Sequence, residues 1–421
     1  MEGTIRCIIL PNDLAEHAQY CKVSACRDVR AAALFMARSE LMVIDQTSRI
    51  VVAGAGSIGC YVGGCLALAG RNVTLLLRPT LADAIARHGL RISDLGGSDR
   101  TLPSSAPTLA TDPSAALAAA QIVLVTVKSG ATAEMAGLIA LHAPSEAIVV
   151  SLQNGVANAD ALRSQLVASS PSPRLSRGEG RGEGQPPAPE QASAPHPSPL
   201  PASGERGQVV AGMVPFNVVQ SRQDGHSPRF HRATSGTMLI AAGVPGLHEV
   251  LDVPGAAVAE HADMTGVLWG KLLLNLNNAL NALSDLPLAK ELGDRRWRLL
   301  LAAQIDEALA VLKAADLRPA RIEGVPPRAI PAILRLPNVL FRVVARRMLA
   351  IDPQARSSMS EDLLLRRPTE IDHLQGAILT LADKAGVAAP LTERILRLIK
   401  GAESAGAGSP MLGPDQVASV H

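Results

Sequence analysis

Residues 48–70 read SRIVVAGAGSIGCYVGGCLALAG, and the fold is decided there. An apolar β-branched run, Ile50–Val52, leads into Gly54-x-Gly56-x-x-Gly59, and a helix-prone segment carrying Gly63 and Gly64 follows. The glycine pattern is weak alone. It gains meaning from a strand before it, a helix after it and a second strand at the proper distance, here NVTLLLR at residues 72–78. The first glycine permits the tight turn, the second lets a pyrophosphate approach the backbone, and the helix N-terminus favours its charge. Gly54, Ala55, Gly56, Ser57, Ile58 and Gly59 are therefore the expected dinucleotide-binding loop, against the alternative of a glycine turn with no ligand.

Outward from this loop, IVLVTVK (122–128), AIVVSLQNGV (147–156) and VVAGMVPFNVV (209–219) are further apolar runs, with helical stretches between several of them. Continuous apolar strands alternating with helices predict an α/β fold with a parallel sheet buried on both faces. From about residue 246 the pattern changes to long amphipathic stretches at 296–315, 328–350, 357–383 and 391–402, with almost no strand signal. The expected organisation is a Rossmann-type dinucleotide-binding domain over 47–245, an all-helical substrate domain over 246–405 and a flexible tail over 406–421. Residues 1–46 show no period and read as a disordered extension. Residues 168–208, rich in Pro, Ser, Gly, Glu and Arg, cannot bury enough apolar surface to offset their ordering entropy and read as a disordered insertion.

Three polar residues stand at strand ends. Arg78 closes NVTLLLR, where an NAD-selective fold places Asp or Glu on the ribose 2′-hydroxyl; an arginine there pairs with a 2′-phosphate instead, so NADPH is the expected cofactor. Lys128 closes IVLVTVK and Asn154 closes the next run, both at the carboxyl edge where open α/β sheets bind ligands.

Composition excludes several classes. The 421 residues are 47% hydrophobic and 19% charged with a formal net charge of +2, and no basic block is interleaved with aromatics, so nothing supports nucleic-acid binding. Five cysteines without a CxxC do not make a disulfide framework or a zinc ribbon. Cys7, Cys21 and Cys26 with His17 lack the regular spacing of a metal site, while Cys60 and Cys65 read as small buried apolar residues. No apolar run is long enough for a membrane span, and Glu2, Asp13 and Glu16 replace the basic start of a signal peptide. A cytoplasmic protein is expected.

A second stretch, KLLLNLNNALNAL at 271–283, places one lysine and four asparagines in an apolar helical run. At about 100° per residue, Lys271, Asn275 and Asn278 share one stripe, while Asn277 lies on another face and Asn281 to one side. Such a stripe either faces water or meets a polar ligand. Further on, SSMSEDLLLRRPTEIDHLQG (357–376) sets Ser358 twelve residues ahead of Glu370. The serine could meet a substrate carboxylate and the glutamate could meet Lys271.

Taken in order, GxGxxG, Arg78, the lysine of TVK, the asparagine of LQNGV, FHRATSGTMLIA (230–241), WGKLLLN (269–275) and SSM…D…RRPTEIDHLQG resemble the ketopantoate reductase family over about 49–167 and 209–400. The resemblance implies NADPH-dependent reduction of 2-dehydropantoate to pantoate, a step toward pantothenate and coenzyme A. It makes Lys271 the general acid and has Glu370 orient both Lys271 and the substrate while also bordering the cofactor. Asn275 and Ser358 hold the substrate, and Asn154 and Lys128 line the cleft between the domains. The family usually carries a further Asn eight residues after the lysine; this chain has Ala279, and Asn278 is expected to take over that contact. The expected partner is a small 2-keto acid, and the expected assembly a monomer or homodimer. The alternatives are a related 2-keto or 3-hydroxy acid dehydrogenase and a non-catalytic NADP-sensing protein.

Overall fold

The computed structural model describes residues 44–103, 105–168, 208–221, 227–321, 324–345 and 354–419. The extension expected over 1–46 and the insertion expected over 168–208 lie outside these residues but for their inner edges, as do Cys7, His17, Cys21 and Cys26.

Among the described residues the strands in chain order are β1 (Arg49–Ala53), β2 (Asn72–Leu76), β3 (Leu90–Asp94), β4 (Asp99–Leu102), β5 (Thr108–Ala110) and β6 (Ile122–Val125). They continue with β7 (Ile148–Ser151), β8 (Val209–Met213), β9 (Val218–Ser221), β10 (Arg229–Arg232), β11 (Met238–Ala241) and β12 (Val258–His261). The larger sheet runs β12-β11-β8-β7-β6-β1-β2-β5. From β5 to β8 every pairing is parallel, and the order is that of doubly wound dinucleotide-binding sheets. Its reversal lies between β1 and β6, so their carboxyl ends open the ligand crevice.

Helices cover both faces, which is why the strands read as unbroken apolar runs. Val51, Val123, Val125 and Val149 pack in one core with Ala136 and Ile139 of the helix Thr132–His142 and Leu162 of the helix Asn158–Ala168. On the other face the helix Ser57–Leu68 lies so close that a Cβ on Gly63 would meet Leu75 Cδ2 at 2.5 Å.

Three expectations need correction. The run 209–219 is two strands: β8 joins the large sheet, and after Val214–Asn217 the chain enters β9 of a separate four-stranded sheet, β4-β3-β10-β9. Pro215 lies in the break and has no N–H for a ladder. The large sheet also continues past residue 246, because β12 pairs in parallel with β11, and the substrate-side helices begin at Met264. Finally, the tail expected to be flexible is packed: the helix Pro414–Ala418 buries Val417 completely, Leu412 N–H donates to Leu283 O at 2.8 Å, and Arg394 Nε donates to Val417 O at 2.8 Å.

The helical part surrounds a second core built from Leu272, Leu276, Leu280, Ile305, Ile371, Ile378 and Ile395. Two of the long expected helices are broken. The 328–350 stretch separates at Pro337 into Ile330–Leu334 and Asn338–Val344, and the 357–383 stretch separates around Pro368 into Ser358–Leu364 and Ile371–Ala385. Proline disfavours the helical conformation in the residue before it and cannot donate inside a helix. None of the described helices is long and apolar enough to cross a membrane.

Candidate active site

Strand β1 ends at Ala53 and the chain turns at Gly54, whose φ is +82°. A Cβ there would lie 2.1 Å from Val127 Cγ1, so conformation and space both require glycine. At Gly59 a Cβ would come within 2.5 Å of Thr126 Oγ1 and 2.9 Å of Val52 Cγ1, which ties the helix to the sheet. Gly56 is different: it is exposed, and the nearest atom its Cβ would meet is Gly54 O at 3.9 Å. The protein leaves open the flank where a pyrophosphate would come.

No side chain caps the helix that begins at Ser57, and its first turn holds no acid, so the positive helix end is available to an anion. Ser57 and Ile58 are half-buried in that turn. Ala55 N–H donates to Leu76 O at 2.9 Å, fixing the loop beside the end of β2. Two residues beyond Leu76 stands Arg78, exposed, at the start of the helix Pro79–His88 and in no ion pair with a described residue. The open loop and the uncapped helix end fit the pyrophosphate of a dinucleotide.

Beyond β6 and β7 the two halves of the protein meet. Lys128 forms an ion pair with Asp362 of the helix Ser358–Leu364. Burial raises the Asp362 carboxyl above its ordinary value, and the Lys128 bond opposes this shift. Next to this pair, Glu370 at the head of the helix Ile371–Ala385 receives three hydrogen bonds from the sheet side. Ser129 N–H and Ser129 Oγ donate to its Oε1 at 3.1 and 2.9 Å, and Asn154 Nδ2 donates to its Oε2 at 3.1 Å.

Lys271 stands on the helix Met264–Asn275, half-buried, and its ammonium donates to the Val214 carbonyl. Burial pulls its pKa down to about 8, against the attraction of the Glu370 carboxylate, which raises it. No ion pair joins the two, so Lys271 and Glu370 act on each other through space. A lysine of lowered pKa within electrostatic reach of a carboxylate fixed at the carboxyl edge of a doubly wound sheet suits proton donation to a bound carbonyl oxygen.

The comparisons with known proteins agree with this fold. Two family models match: "Ketopantoate reductase PanE/ApbA" over residues 50–181 and "Ketopantoate reductase PanE/ApbA C terminal" over residues 263–403. The chain belongs to the ketopantoate reductase family. A curated 2-dehydropantoate 2-reductase from Halobacterium salinarum is 27% identical over 364 residues, spanning 85% of this chain and 100% of that protein. The crystal structure of a PanE/ApbA family ketopantoate reductase from Ralstonia eutropha JMP134 aligns with a TM-score of 0.64 and 26% identity, over 85% of this chain and 99% of that one. D-Mandelate dehydrogenase in a ternary structure with NADH and anilino(oxo)acetate shares the fold with a TM-score of 0.60 at 18% identity, over 85% of this chain and 99% of that one.

In this ketopantoate reductase family member the residues expected at the site divide in two. Glu370 and Asn154 are in direct contact, Lys271 lies within electrostatic reach of Glu370, and Lys128 faces Asp362. Asn275 and Asn278 are half-buried and Ser358 is exposed, and none of their side chains hydrogen-bonds to Lys271 or Glu370. Of the serine pair, Ser357 is the structural one: it caps its helix through Ser360 N–H at 3.1 Å and donates to Asn278 O at 3.0 Å. Ala279 is fully buried in the helical core. The run 271–283 is two helices, interrupted at Leu276, whose carbonyl accepts from Gln375 Nε2 at 3.0 Å.

One asparagine has a clear structural role. Asn281 Oδ1 accepts from Ser357 N–H at 2.8 Å, and its Nδ2 donates to Leu286 O at 2.8 Å and to Glu291. Sequence reasoning missed Ser129 and Asp362. Their signals were a hydroxyl directly after the strand-end lysine and the acid inside SSMSED, but neither spacing shows that they meet Glu370 and Lys128.

Proposed function

We propose that this protein is an NADPH-dependent 2-dehydropantoate 2-reductase. The observation that carries the reading is Glu370 held by Ser129 and Asn154 at the carboxyl edge of the sheet, within electrostatic reach of Lys271. Reduced nicotinamide dinucleotide, when bound, supplies the hydride for the keto carbon. Lys271 polarises the ketone as a cation and delivers the proton to its oxygen as alkoxide charge develops. Glu370 keeps the ammonium oriented and meets the substrate hydroxyl. Asn275 and Asn278 line the lysine side of the cleft, Ser358 receives the substrate carboxylate, and Arg78 selects the 2′-phosphate of NADPH over NADH. Lys128, paired with Asp362, borders the same cleft.

The test is NADPH oxidation with 2-dehydropantoate. Wild-type protein is expected to turn over and Lys271→Ala to lose about 10²–10⁴ in kcat, while Arg78→Ala narrows the preference for NADPH. Binding of NADPH without turnover of this acid would refute the substrate assignment.

A second reading, reduction of a different small 2-keto acid, is favoured by Ala279, which removes a polar group where the family usually has one and is itself buried. The fold shared with D-mandelate dehydrogenase is compatible with it. A panel of branched and aromatic 2-keto acids separates the two readings by kcat/KM.

A further inference from the structure

We propose that Ser129 is a positioning residue of this site, fixing one oxygen of Glu370 with its backbone N–H and its hydroxyl together. The inference rests on the reading of Lys271 and Glu370 as acid and partner, and it adds the group that sets their geometry.

Ser129 is buried in the turn after β6, and both of its donors converge on Glu370 Oε1, at 3.1 and 2.9 Å. Its hydroxyl has one proton and two acceptors at equal distance, Glu370 Oε1 and Asn154 O, both at 2.9 Å. The Asn154 carbonyl already accepts from Asn158 Nδ2, and the same amide donates to Ser129 Oγ at 3.1 Å. With the hydroxyl proton turned to the carboxylate, every donor and acceptor in this group is matched, and the charged acceptor makes that bond the stronger one.

The orientation of Asn158 is itself set from behind. Thr132 Oγ1 lies 2.8 Å from both Asn158 Oδ1 and Ser129 O, and Gln153 Nε2 donates to Thr132 Oγ1 at 2.7 Å and to Val127 O at 3.1 Å. An amide-and-hydroxyl chain anchored on β6 and β7 thus ends at Ser129. Glu370 belongs to the helical half, so Ser129 lets the sheet half fix where that carboxylate stands relative to Lys271. Among the described residues Glu370 is the charged group that acts on Lys271, while Lys128 and Asp362 beside it pair with each other. Loosening Glu370 therefore weakens the interaction that keeps Lys271 protonated.

The experiment follows the Lys271 titration by NMR in full-length protein carrying side-chain-labelled lysine, with the signal assigned through Lys271→Arg. In Ser129→Ala the titration is expected to move down by about 0.5 pH unit, Ser129→Thr is expected to restore it, and kcat with the keto acid falls about tenfold in the alanine variant with its alkaline limb shifted equally. Ser129→Cys, which keeps the volume with a weak donor, provides a second reading should the alanine variant fold poorly. An unmoved Lys271 titration in Ser129→Ala and Ser129→Cys overturns the proposal. A titration that moves in protein inactive toward every 2-keto acid refutes the activity and leaves the positioning intact.

Discussion

Lys271 combines a buried position with a charge that the proposed proton transfer requires. Its pKa of about 8 places it near neutrality, where a general acid is most effective. Since the protonated form is the acid, kcat is expected to hold constant at lower pH and to decline as pH rises through about 8. A pH–rate profile checks this, and a flat profile to pH 10 would exclude Lys271 as the donor. The same shift has a stability consequence. The unfolded chain keeps this proton to about pH 10.4, whereas the native protein releases it near 8, so stability rises with pH between those values. Lys271→Met is accordingly expected to raise Tm at pH 7 while abolishing turnover, and to show less gain at pH 10 by thermal melts. At Gly54 the constraint is steric: with φ at +82° and Val127 Cγ1 at 2.1 Å from a Cβ, Gly54→Ala is expected to cost at least about 1–3 kcal/mol and to weaken NADPH binding in calorimetry.

The two helices Met264–Asn275 and Asn277–Ser284 divide their polar residues between two tasks. The first carries Lys271, whose ammonium donates to the Val214 carbonyl, while the second sets Asn281 on Glu291, which is fully buried on the helix Leu288–Gly293. Burial pushes the Glu291 carboxyl up to about 8, and the Asn281 bond moderates the shift. The unfolded chain loses this proton near pH 4.3, so the contribution is fully present below that value and disappears as pH rises through about 8. Glu291→Gln keeps an acceptor for Asn281 and removes the titration. It is expected to leave stability at pH 4 little changed and to raise Tm at pH 8 to 9; an equal effect at both pH values would contradict a neutral Glu291 in the folded protein.

Among the described residues, three side-chain links tie the sheet half to the helical half at the site: Lys128 with Asp362, Ser129 and Asn154 with Glu370, and Lys271 with the Val214 carbonyl. The sheet half is closed through pairings that do not depend on the connection between its strands. β8 pairs with β7 as Val149↔Val209, Val150↔Val210 and Ser151↔Ala211, although residues 169–207 intervene in sequence. Loop-closure entropy changes by only about 0.6 kcal/mol per doubling of length. Replacing 171–206 with a short Gly/Ser linker is therefore expected to keep Tm within a few degrees and activity within about twofold. Loss of soluble protein on this replacement would show that the segment contributes to folding.

The sequence by itself determined the sheet half, because its information is local: a glycine loop needs its own backbone geometry, and strands buried on both faces must be apolar throughout. The motif order also carried the family, and it singled out Lys271, Glu370, Asn154 and Lys128 for the proposed site. Only the tertiary structure decided which polar residues face one another. Ser129 reaches Glu370 across 241 positions and Lys128 reaches Asp362 across 234, and no periodicity reports a contact of that span. Helical spacing put Asn277 and Asn281 off the lysine stripe, but that Asn281 bonds Glu291 depends on a helix packed against it. The continuation of the sheet to β12 and the packed tail were hidden for the same reason: a four-residue strand and a five-residue helix carry too little pattern of their own and are held by the neighbours they meet.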